Sequence, residues 1–302
     1  MKTSGPILGG FRRTLLSTGL FGHAGARLAA GLALAGAMGV GARAAEFPQG
    51  LMLHFSFEEA TSGGNVSDRT GRGNNGRCTN ATWTTTGRRG GGCAFGETNS
   101  FLQIVHNESL NLTQATFAVW FKTTNTDPVA RTLLDKQPAN GFALGLAGKT
   151  PDGKDQGRVC VTIAGHTCVG DSNVTDGVWH HAAATYNGEI LKLYVDGLPQ
   201  KQTAEWRGRI PTNGCDIIVG MNKSCPAPEE KGHSFWGLLD EVMIFNHAIT
   251  EAEVGAVIAY AKSTFTREQV ARRLAELKDL YDRGLFTQEF YDRKVRECEV
   301  SQ

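Results

Sequence analysis

The sequence predicts a mostly β protein, an antiparallel β-sandwich followed by a small C-terminal α-helical hairpin. Three observations lead to this fold class. Short segments that alternate large apolar and polar residues recur from residue 51 to about 245, which is the period of half-buried strands. Turn clusters separate them, and Gly makes up 38 of the 302 residues, nearly double the usual share of about 7%. Beyond residue 247 the apolar residues recur at helical spacing.

The predicted strands follow one another without an intervening amphipathic helix, which favours an antiparallel sandwich over a parallel sheet. The turns between them contain Asn-Gly and Asp-Gly pairs, and these tolerate the positive φ angles of tight hairpins. The turn clusters cover 70–76, 87–92, 151–157, 187–188 and 196–197. The strands cover 51–57, 101–105, 116–122, 142–146, 158–164, 180–186, 191–195, 216–220 and 238–245.

The C-terminal part carries helix signals. Thr250 and Glu253 have the spacing of a capping box, which predicts a helix over 248–261. From residue 266 the chain holds eight basic and eight acidic residues, and its apolar residues recur every three or four positions until Gly284 ends the helix. Thr287 begins a second, shorter helix. Because so small a hairpin cannot bury its own apolar stripe, we expect it to mediate association.

Residues 1–44 have the composition of an export signal. They hold five basic and no acidic residues, an uncharged stretch over 28–41, and Ala42-Arg43-Ala44 as a cleavage site. The pair Arg12-Arg13 resembles a twin-arginine signal. Fourteen residues are too few for a spanning helix, which needs ~20, so we expect a periplasmic, cell-surface or secreted protein. An uncleaved anchor is the alternative.

The charge of the remaining chain argues against a nucleic-acid partner. Residues 45–302 carry 26 basic and 30 acidic side chains, so the balance is mildly acidic. Binding to phosphates would call for a basic field instead.

Seven cysteines fit an oxidising compartment, where cysteines usually pair. Six of them allow fifteen connectivities, and their order suggests three local disulfides. Cys298 is left over, either unpaired or bridging two copies. Zinc is disfavoured because no C-x-x-C occurs. The suggested pairs are Cys78–Cys93, Cys160–Cys168 and Cys215–Cys225.

Several motifs resemble those of laminin-G-like (concanavalin A-like) jelly-roll domains. They are Trp179-His-His-Ala-Ala-Ala-Thr-Tyr-Asn-Gly, Leu193-Tyr-Val-Asp-Gly-Leu and Gly237-Leu-Leu-Asp-Glu-Val-Met-Ile-Phe-Asn-His. The resemblance covers roughly 48–260 and implies a jelly-roll sandwich with a recognition role. Phe95-Gly-Glu departs from the usual Phe-Asp-Gly of the family.

The C-terminal segment resembles the short domain called SHOCT, through Leu274-Ala-Glu-Leu-Lys-Asp-Leu-Tyr-Asp-Arg-Gly-Leu-Phe-Thr. Phe290 departs from that motif, whereas Tyr291 fits its aromatic position. We therefore expect three parts: an export signal over 1–44, a laminin-G-like domain over 45–262 and a SHOCT-like hairpin over 263–302.

Two tryptophans are candidate ligand contacts. Trp206 lies between Glu205 and Arg207, and Trp236 lies beside a loop, so both are expected to be exposed as platforms for sugar rings. Trp179, His180 and His181 lie in a predicted strand, where core or structural roles are expected instead.

The carboxylates disfavour catalysis. Related jelly-roll glycosidases carry a Glu-x-Asp-x-x-Glu strand, which this chain lacks. Asp240 and Glu241 are adjacent and are expected to face opposite sides of a strand, whereas glycoside hydrolysis needs two carboxylates facing one bond. G-x-S-x-G is also absent. We therefore expect a non-enzyme.

Calcium is the candidate cofactor. The resemblance implies a calcium ion near the first loop, and the matching positions are Asp68, Asn75 and Asp240. Oxygen ligands of this kind suit calcium. The alternative is that Asp68 caps a turn and Asp240 accepts backbone hydrogen bonds.

Together these features predict an exported, non-catalytic recognition module that binds a carbohydrate or protein ligand at the cell envelope. The hairpin would mediate self-association. Two alternatives stay open: a glycoside hydrolase or lyase on the same fold, and a purely structural envelope component.

Overall fold

In a computed structural model the chain is described over residues 47–59, 64–96, 99–136, 140–222, 234–261 and 267–296. The predicted export signal, Cys225 and Cys298 lie outside these residues. The strands are β1 Leu51–Phe55, β2 Asn65–Val66, β3 Gly76–Thr79, β4 Thr82–Arg89, β5 Gly91–Phe95, β6 Phe101–Ile104, β7 Ala115–Lys122, β8 Arg131–Lys136, β9 Phe142–Leu146, β10 Arg158–Ile163, β11 His166–Asn173, β12 Trp179–Tyr186, β13 Ile190–Val195, β14 Leu198–Glu205, β15 Ile217–Val219 and β16 Gly237–Phe245. The α-helices are α1 Glu251–Tyr260, α2 Arg267–Asp282 and α3 Gln288–Arg296.

Two antiparallel sheets face each other, which confirms the predicted sandwich. The first sheet has the order β14-β13-β12-β7-β16-β5-β4, and β1 pairs with the C-terminal half of β16. The second sheet has the order β11-β10-β9-β8-β15-β6-β3-β2. Strands distant in sequence therefore become neighbours, and β16 is hydrogen-bonded to β7, β5 and β1.

The core lies between the sheets and follows from the alternation along each strand. In β7, Phe117, Val119 and Phe121 face inward and are buried, while Ala118 faces outward. The ring of Phe117 stacks on Phe142 of the second sheet at 4.0 Å. Burial of large side chains of this kind contributes about 1.5–3 kcal/mol each.

Helix α1 covers the outer face of the first sheet. Its Val254 and Val257 pack with Met243 of β16. The predicted capping box is present, because Thr250 accepts from the Glu253 N–H and Glu253 accepts from the Thr250 N–H. The helix therefore begins at the residue that the sequence indicates.

The C-terminal helical hairpin is also present. Gly284 has φ +72° after the end of α2, a conformation that glycine adopts at little cost. The Phe290 N–H donates to Thr287 Oγ1 at 3.2 Å, so Thr287 caps α3 as predicted. Tyr281 and Tyr291 stack across the hairpin at 4.8 Å. Among the described residues, no helix is both long and apolar enough to cross a bilayer.

The predicted turn at 87–92 is present but shorter than predicted. Only Gly90, with φ +63°, lies in the turn, while β4 runs to Arg89 and β5 begins at Gly91. A Cβ on Gly91 would lie 1.9 Å from the Phe57 carbonyl oxygen. Gly90 serves the turn, whereas Gly91 permits a close approach of the backbone within the paired strands. The glycine content therefore made the turn look longer than it is.

Candidate functional site

A cleft of about 390 Å³ opens where β5 and β7 end and β16 begins. Trp236 lies at this cleft with 48% of its surface exposed, as expected from the sequence. An exposed indole is unusual in a chain whose other large aromatic residues are mostly buried or half-buried. The other described residues that line the cleft are Phe95, Gly96, Lys122, Thr123, Thr124, Asn125, Gly237 and Leu238.

Two buried residues anchor the segment before Trp236. Phe235 is fully buried, and its ring meets that of Phe121 edge-on at 6.4 Å. The Phe235 N–H donates to the Gly220 carbonyl at 2.6 Å. Ser234 is also buried, and its Oγ accepts from the Ser100 N–H at 3.0 Å. The sheet core therefore fixes the backbone that carries the exposed indole.

Two further bonds join this segment to the chain after β7. Thr123 Oγ1 donates to the Trp236 carbonyl at 2.6 Å, and Arg131 Nη1 donates to the Ser234 carbonyl at 2.9 Å. Gly237 permits the close approach, since it has φ +152° and a Cβ there would lie 2.1 Å from the Lys122 carbonyl oxygen. The cleft is thus held in shape by the protein's own contacts, which lowers the ordering cost of binding.

Among the described residues that line this cleft, Lys122 is the one ionisable residue. It is half-buried at the end of β7, opposite Trp179 of β12 and Leu238 of β16. Within the described ranges it makes no ion pair. In the adjoining loop, Asp127 is paired with Arg131 at 2.6 Å.

Trp206 is not available as a platform, which corrects the prediction made for it. Its indole is half-buried and stacks on His166 at 4.2 Å and on Tyr186 at 4.1 Å, with 9° between the ring planes in each pair. Both faces are therefore covered by protein. The flanking charges suggested exposure, but the partners lie 40 and 20 residues away in sequence.

Asp68 and Asn75 belong to one hydrogen-bonded turn. Asp68 Oδ1 accepts from the His54 and Thr70 N–H groups, and Oδ2 accepts from Thr70 Oγ1 and the Asn74 N–H. The Asp68 N–H donates to Asn75 Oδ1 at 2.9 Å. A carboxylate offers about four acceptor positions, and these four donors occupy them.

Asp240 is not brought to that turn. The His54 N–H and carbonyl both bond the 68–69 loop, so this loop lies along the edge of β1 opposite to β16, which carries Asp240. Asp68, Asn75 and Asp240 therefore do not fit one calcium site. Among the described residues, no cluster of three or more His, Cys, Asp or Glu is placed to hold a metal. Calcium binding stays a prediction without a ligand set.

Asp240 and Glu241 do not face opposite sides, contrary to the prediction. The register of β16 shifts between Asp240 and Met243, and Glu241 has φ +49°, which is a β-bulge. Asp240 accepts from the Arg89 N–H at 2.9 Å, and Glu241 Oε1 lies 3.9 Å from Arg89 Nη1. Both carboxylates thus lie on the outer face of the first sheet.

The bulge creates a buried polar cluster that sequence reasoning missed. Glu241 Oε2 is 2.6 Å from His54 Nε2, and both side chains are buried. The Arg89 guanidinium lies 4.5 Å from the centre of the Tyr260 ring of α1. Burial raises the pKa of Asp240 to about 8. None of these residues lines the Trp236 cleft.

The two histidines after Trp179 have structural surroundings, as expected. His180 is held by Asp196 at 2.8 Å and Asp176 at 3.1 Å. His181 is fully buried beside Trp120, and burial lowers its pKa to about 4.

The cysteines separate into different cases. Cys78 of β3 and Cys93 of β5 are thiols in hydrogen-bond contact, which raises the pKa of Cys93. The predicted pair Cys160–Cys168 is wrong, because Cys160 lies opposite Val169 and Cys168 opposite Val161. Neighbouring residues of a strand face opposite sides, so these two sulfurs point to different faces of the sheet. The predicted Cys215–Cys225 pair involves a residue outside the described ranges.

Comparison with known proteins agrees with the fold. Residues 95–255 match the family described as the concanavalin A-like lectin/glucanases superfamily. No curated protein matches the chain.

Of three similar solved structures, two are binding domains by name and the third was solved in complex with arabinotriose. The binding domain of Paraclostridial Mosquitocidal Protein 1 has a TM-score of 0.55 at 17% identity, over 71% of this chain and 53% of that one. Domain 4 of AbnA, a GH43 extracellular arabinanase from Geobacillus stearothermophilus, was solved in complex with arabinotriose. It has a TM-score of 0.52 at 18% identity, over 69% of this chain and 98% of that one. The binding domain of botulinum neurotoxin DC, solved in complex with rat synaptotagmin II, has a TM-score of 0.50 at 9% identity, over 72% of this chain and 52% of that one. The match thus spans about half the length of the two toxin domains.

Proposed function

The chain belongs to the concanavalin A-like lectin/glucanase superfamily, and from this membership we propose that it is an exported, non-catalytic module that binds a carbohydrate in the Trp236 cleft. One observation carries the proposal: Trp236 is exposed, yet the backbone on both sides of it is anchored. Exposing a large apolar ring gains nothing for folding, and a rigid exposed ring is suited to contact a ligand.

The chemistry of the cleft suits a sugar. A pyranose ring offers an apolar C–H face and a rim of hydroxyl groups. The indole of Trp236 supplies a flat apolar surface, while Thr124, Asn125 and Lys122 supply polar groups around it. This division between one aromatic face and a few polar groups supports a carbohydrate over an extended apolar peptide.

The similar structures support a binding role at the level of the fold. The arabinanase domain was solved with arabinotriose, and one toxin domain with synaptotagmin II. Because the sandwich serves many ligands, its shape alone does not select among them. The choice of carbohydrate rests on the side chains of the cleft.

The absence of catalysis is part of the proposal. Glycoside hydrolysis generally needs two carboxylates that face the scissile bond. Among the described residues that line the cleft there is no carboxylate, and Asp240 and Glu241 lie in the buried cluster under α1. We expect the protein to bind polysaccharides without shortening them.

Export and association complete the proposal. The signal-like composition of residues 1–44 supports export to the cell envelope. The C-terminal hairpin, whose described large apolar side chains are half-buried or exposed, would supply self-association or docking.

The experiment is a glycan array of neutral and acidic oligosaccharides, followed by calorimetry with Trp236→Ala. We expect wild type to bind at least one glycan class and Trp236→Ala to lose about tenfold or more in affinity, because the stacking surface is removed. The melting temperature should stay close to that of wild type, since the indole is half-exposed.

Trp236→Phe should retain part of the affinity, because a smaller aromatic face remains. Leu198→Ala is the control, since Leu198 is also an exposed large apolar residue and lies outside the cleft. Unchanged glycan affinity in Trp236→Ala would remove the cleft from the binding site. Failure to bind any glycan, with capture of a protein receptor instead, would contradict the carbohydrate assignment.

A further inference from the structure

Among its described residues, the Trp236 cleft carries one positive charge and no carboxylate. Lys122 lines it, and the described lining includes no Asp or Glu. Lys122 is half-buried at the end of β7, between its strand neighbours Trp179 on β12 and Leu238 on β16. An anion that enters the cleft would meet this cation without competition from a carboxylate of the described lining.

In the part of the chain that the structure describes, no neighbouring charge neutralises Lys122. Asp127, the acidic residue of the loop after β7, is already occupied by Arg131 Nη2 at 2.6 Å and accepts a bond from Asn125 Nδ2 at 3.3 Å. In the described part of the chain Lys122 therefore lacks a carboxylate partner. Arg131 shows the contrast, since its other nitrogen bonds the Ser234 carbonyl and its charge is used to hold the segment.

The position of Lys122 is set by the same contacts that place Trp236. Gly237 lets β16 start against the Lys122 carbonyl, and Thr123, the residue after Lys122, donates to the Trp236 carbonyl. The backbone positions of Lys122 and Trp236 are therefore fixed relative to each other at one cleft. A ligand that stacks on the indole brings its substituents within reach of a long, cationic side chain.

We propose that the cleft selects anionic sugars, with the ring stacked on Trp236 and a carboxylate or sulfate paired with Lys122. This inference rests on the proposed carbohydrate-binding function. A neutral sugar would leave the ammonium group without a partner, whereas an anionic group forms charge-assisted hydrogen bonds, which are shorter and stronger than neutral ones. A uronic acid and a sulfated sugar share this chemistry.

The test uses the full chain and three oligosaccharide probes: oligogalacturonate, a sulfated galactan fragment and an unsubstituted galactan fragment. We expect wild type to bind an anionic probe about tenfold or more tighter than the neutral one. Raising sodium chloride from roughly 0.05 to 0.5 M should weaken the anionic complex and leave the neutral one unchanged. Comparing the first two probes distinguishes a carboxylate site from a sulfate site.

Two variants separate the inference from the function on which it rests. Lys122→Met keeps the apolar stem and should lose the preference for the anionic probes, because its affinity for them falls about tenfold more than its affinity for the neutral probe does. Lys122→Arg should keep the preference, and Lys192→Met, an exposed lysine outside the cleft, should behave as wild type.

If Trp236→Ala abolishes binding but Lys122→Met binds every probe as wild type does, selection by charge is wrong and the carbohydrate function stands. If Trp236→Ala binds as wild type, or neither the three probes nor any glycan of the array binds, both are overturned.

Discussion

Asp240 and His181 are buried titratable residues whose surroundings oppose ionisation. Asp240 has no exposed surface, its two oxygens accept the Arg89 and Glu241 N–H groups, and burial raises its pKa to about 8. His181 is likewise buried, without a hydrogen-bond partner for either ring nitrogen among the described residues, and burial lowers its pKa to about 4. Both side chains therefore favour their neutral forms in the folded protein.

The pH dependence of stability follows from these directions. The pKa of Asp240 is above its ordinary value of 3.8, so the folded state keeps a proton that the unfolded chain loses, and the free energy of unfolding falls as pH rises from about 4 to 8. For His181 the pKa is below its ordinary 6.5, so stability is lost as pH falls from about 6.5 to 4.

Replacing Asp240 by Asn should remove the first of these slopes. As pH rises from about 5 to 8, the free energy of unfolding of wild type should fall relative to that of Asp240→Asn, by as much as ~1.4 kcal/mol per pH unit. The lost acceptor adds a cost that does not vary with pH. Urea denaturation at several pH values measures the slope.

Asp152→Asn is the control for this experiment, because Asp152 is exposed and the Thr150 hydroxyl group lowers its pKa. Its slope over the same range should match that of wild type. Parallel stability curves for Asp240→Asn and wild type would show that Asp240 is ionised in the folded protein.

Single residues show the limit of sequence reasoning at this scale. The Thr250–Glu253 capping box was predictable because all its atoms lie within four residues. Trp206 was misjudged because its stacking partners, His166 and Tyr186, come from other strands. Trp236 was placed at the surface by its neighbouring loop, but its anchoring depends on Thr123 and Arg131, more than a hundred residues away.

At the scale of elements, β3 and β5 bring Cys78 and Cys93 together from different sheets. The hydrogen bond between the thiols lowers the pKa of Cys78 and raises that of Cys93. A thiolate is the reactive form, so Cys78 would be the one to attack a small disulfide oxidant such as oxidised glutathione, with Cys93 completing the exchange. Their disulfide, which stays a prediction, would tie the two sheets together.

Cys78→Ser should lower the melting temperature under oxidising conditions and change it much less in the presence of a reductant. A disulfide that closes a 15-residue loop contributes about 3 kcal/mol in the chain-entropy model. Differential scanning calorimetry with and without dithiothreitol measures the difference. Cys160→Ser is the matched control and should respond equally to both conditions, since its sulfur faces away from Cys168.

An equal melting temperature for wild type with and without reductant would contradict the Cys78–Cys93 disulfide. Thiol titration of the unfolded protein checks this directly.

The strands that sequence reasoning found and missed differ in composition. Predicted strands such as β7 and β13 alternate large apolar residues with other residues. The missed β14 is mostly exposed and polar, and β4 carries Thr, Gly and Arg. These strands are set by pairing with β13 and β5 rather than by their own pattern. The bulge at Glu241 was hidden because its segment reads as one continuous strand.

On the scale of the whole molecule, the sandwich and the hairpin differ in how they bury apolar surface. All residues of the three described core clusters come from residues up to Ile258. In the hairpin, Leu274, Leu277 and Phe286 are half-buried, and Leu285 is 58% exposed. The fold class and the hairpin were predictable from periodicity and resemblance, whereas the occupant of this apolar surface is not determined by the hairpin alone.

We propose that the apolar surface of the hairpin packs against a second copy of the chain. Deletion of the hairpin tests this. Removing residues 263–302 should convert an oligomer into a monomer, with the melting temperature of the sandwich nearly unchanged because none of its core clusters is touched. Light scattering coupled to size-exclusion chromatography gives the mass. Leu285→Asp is a milder variant that should weaken association without unfolding the hairpin, since this side chain is already exposed.

A monomeric full-length chain would contradict self-association, and an oligomer that survives the deletion would place the contact on the sandwich instead.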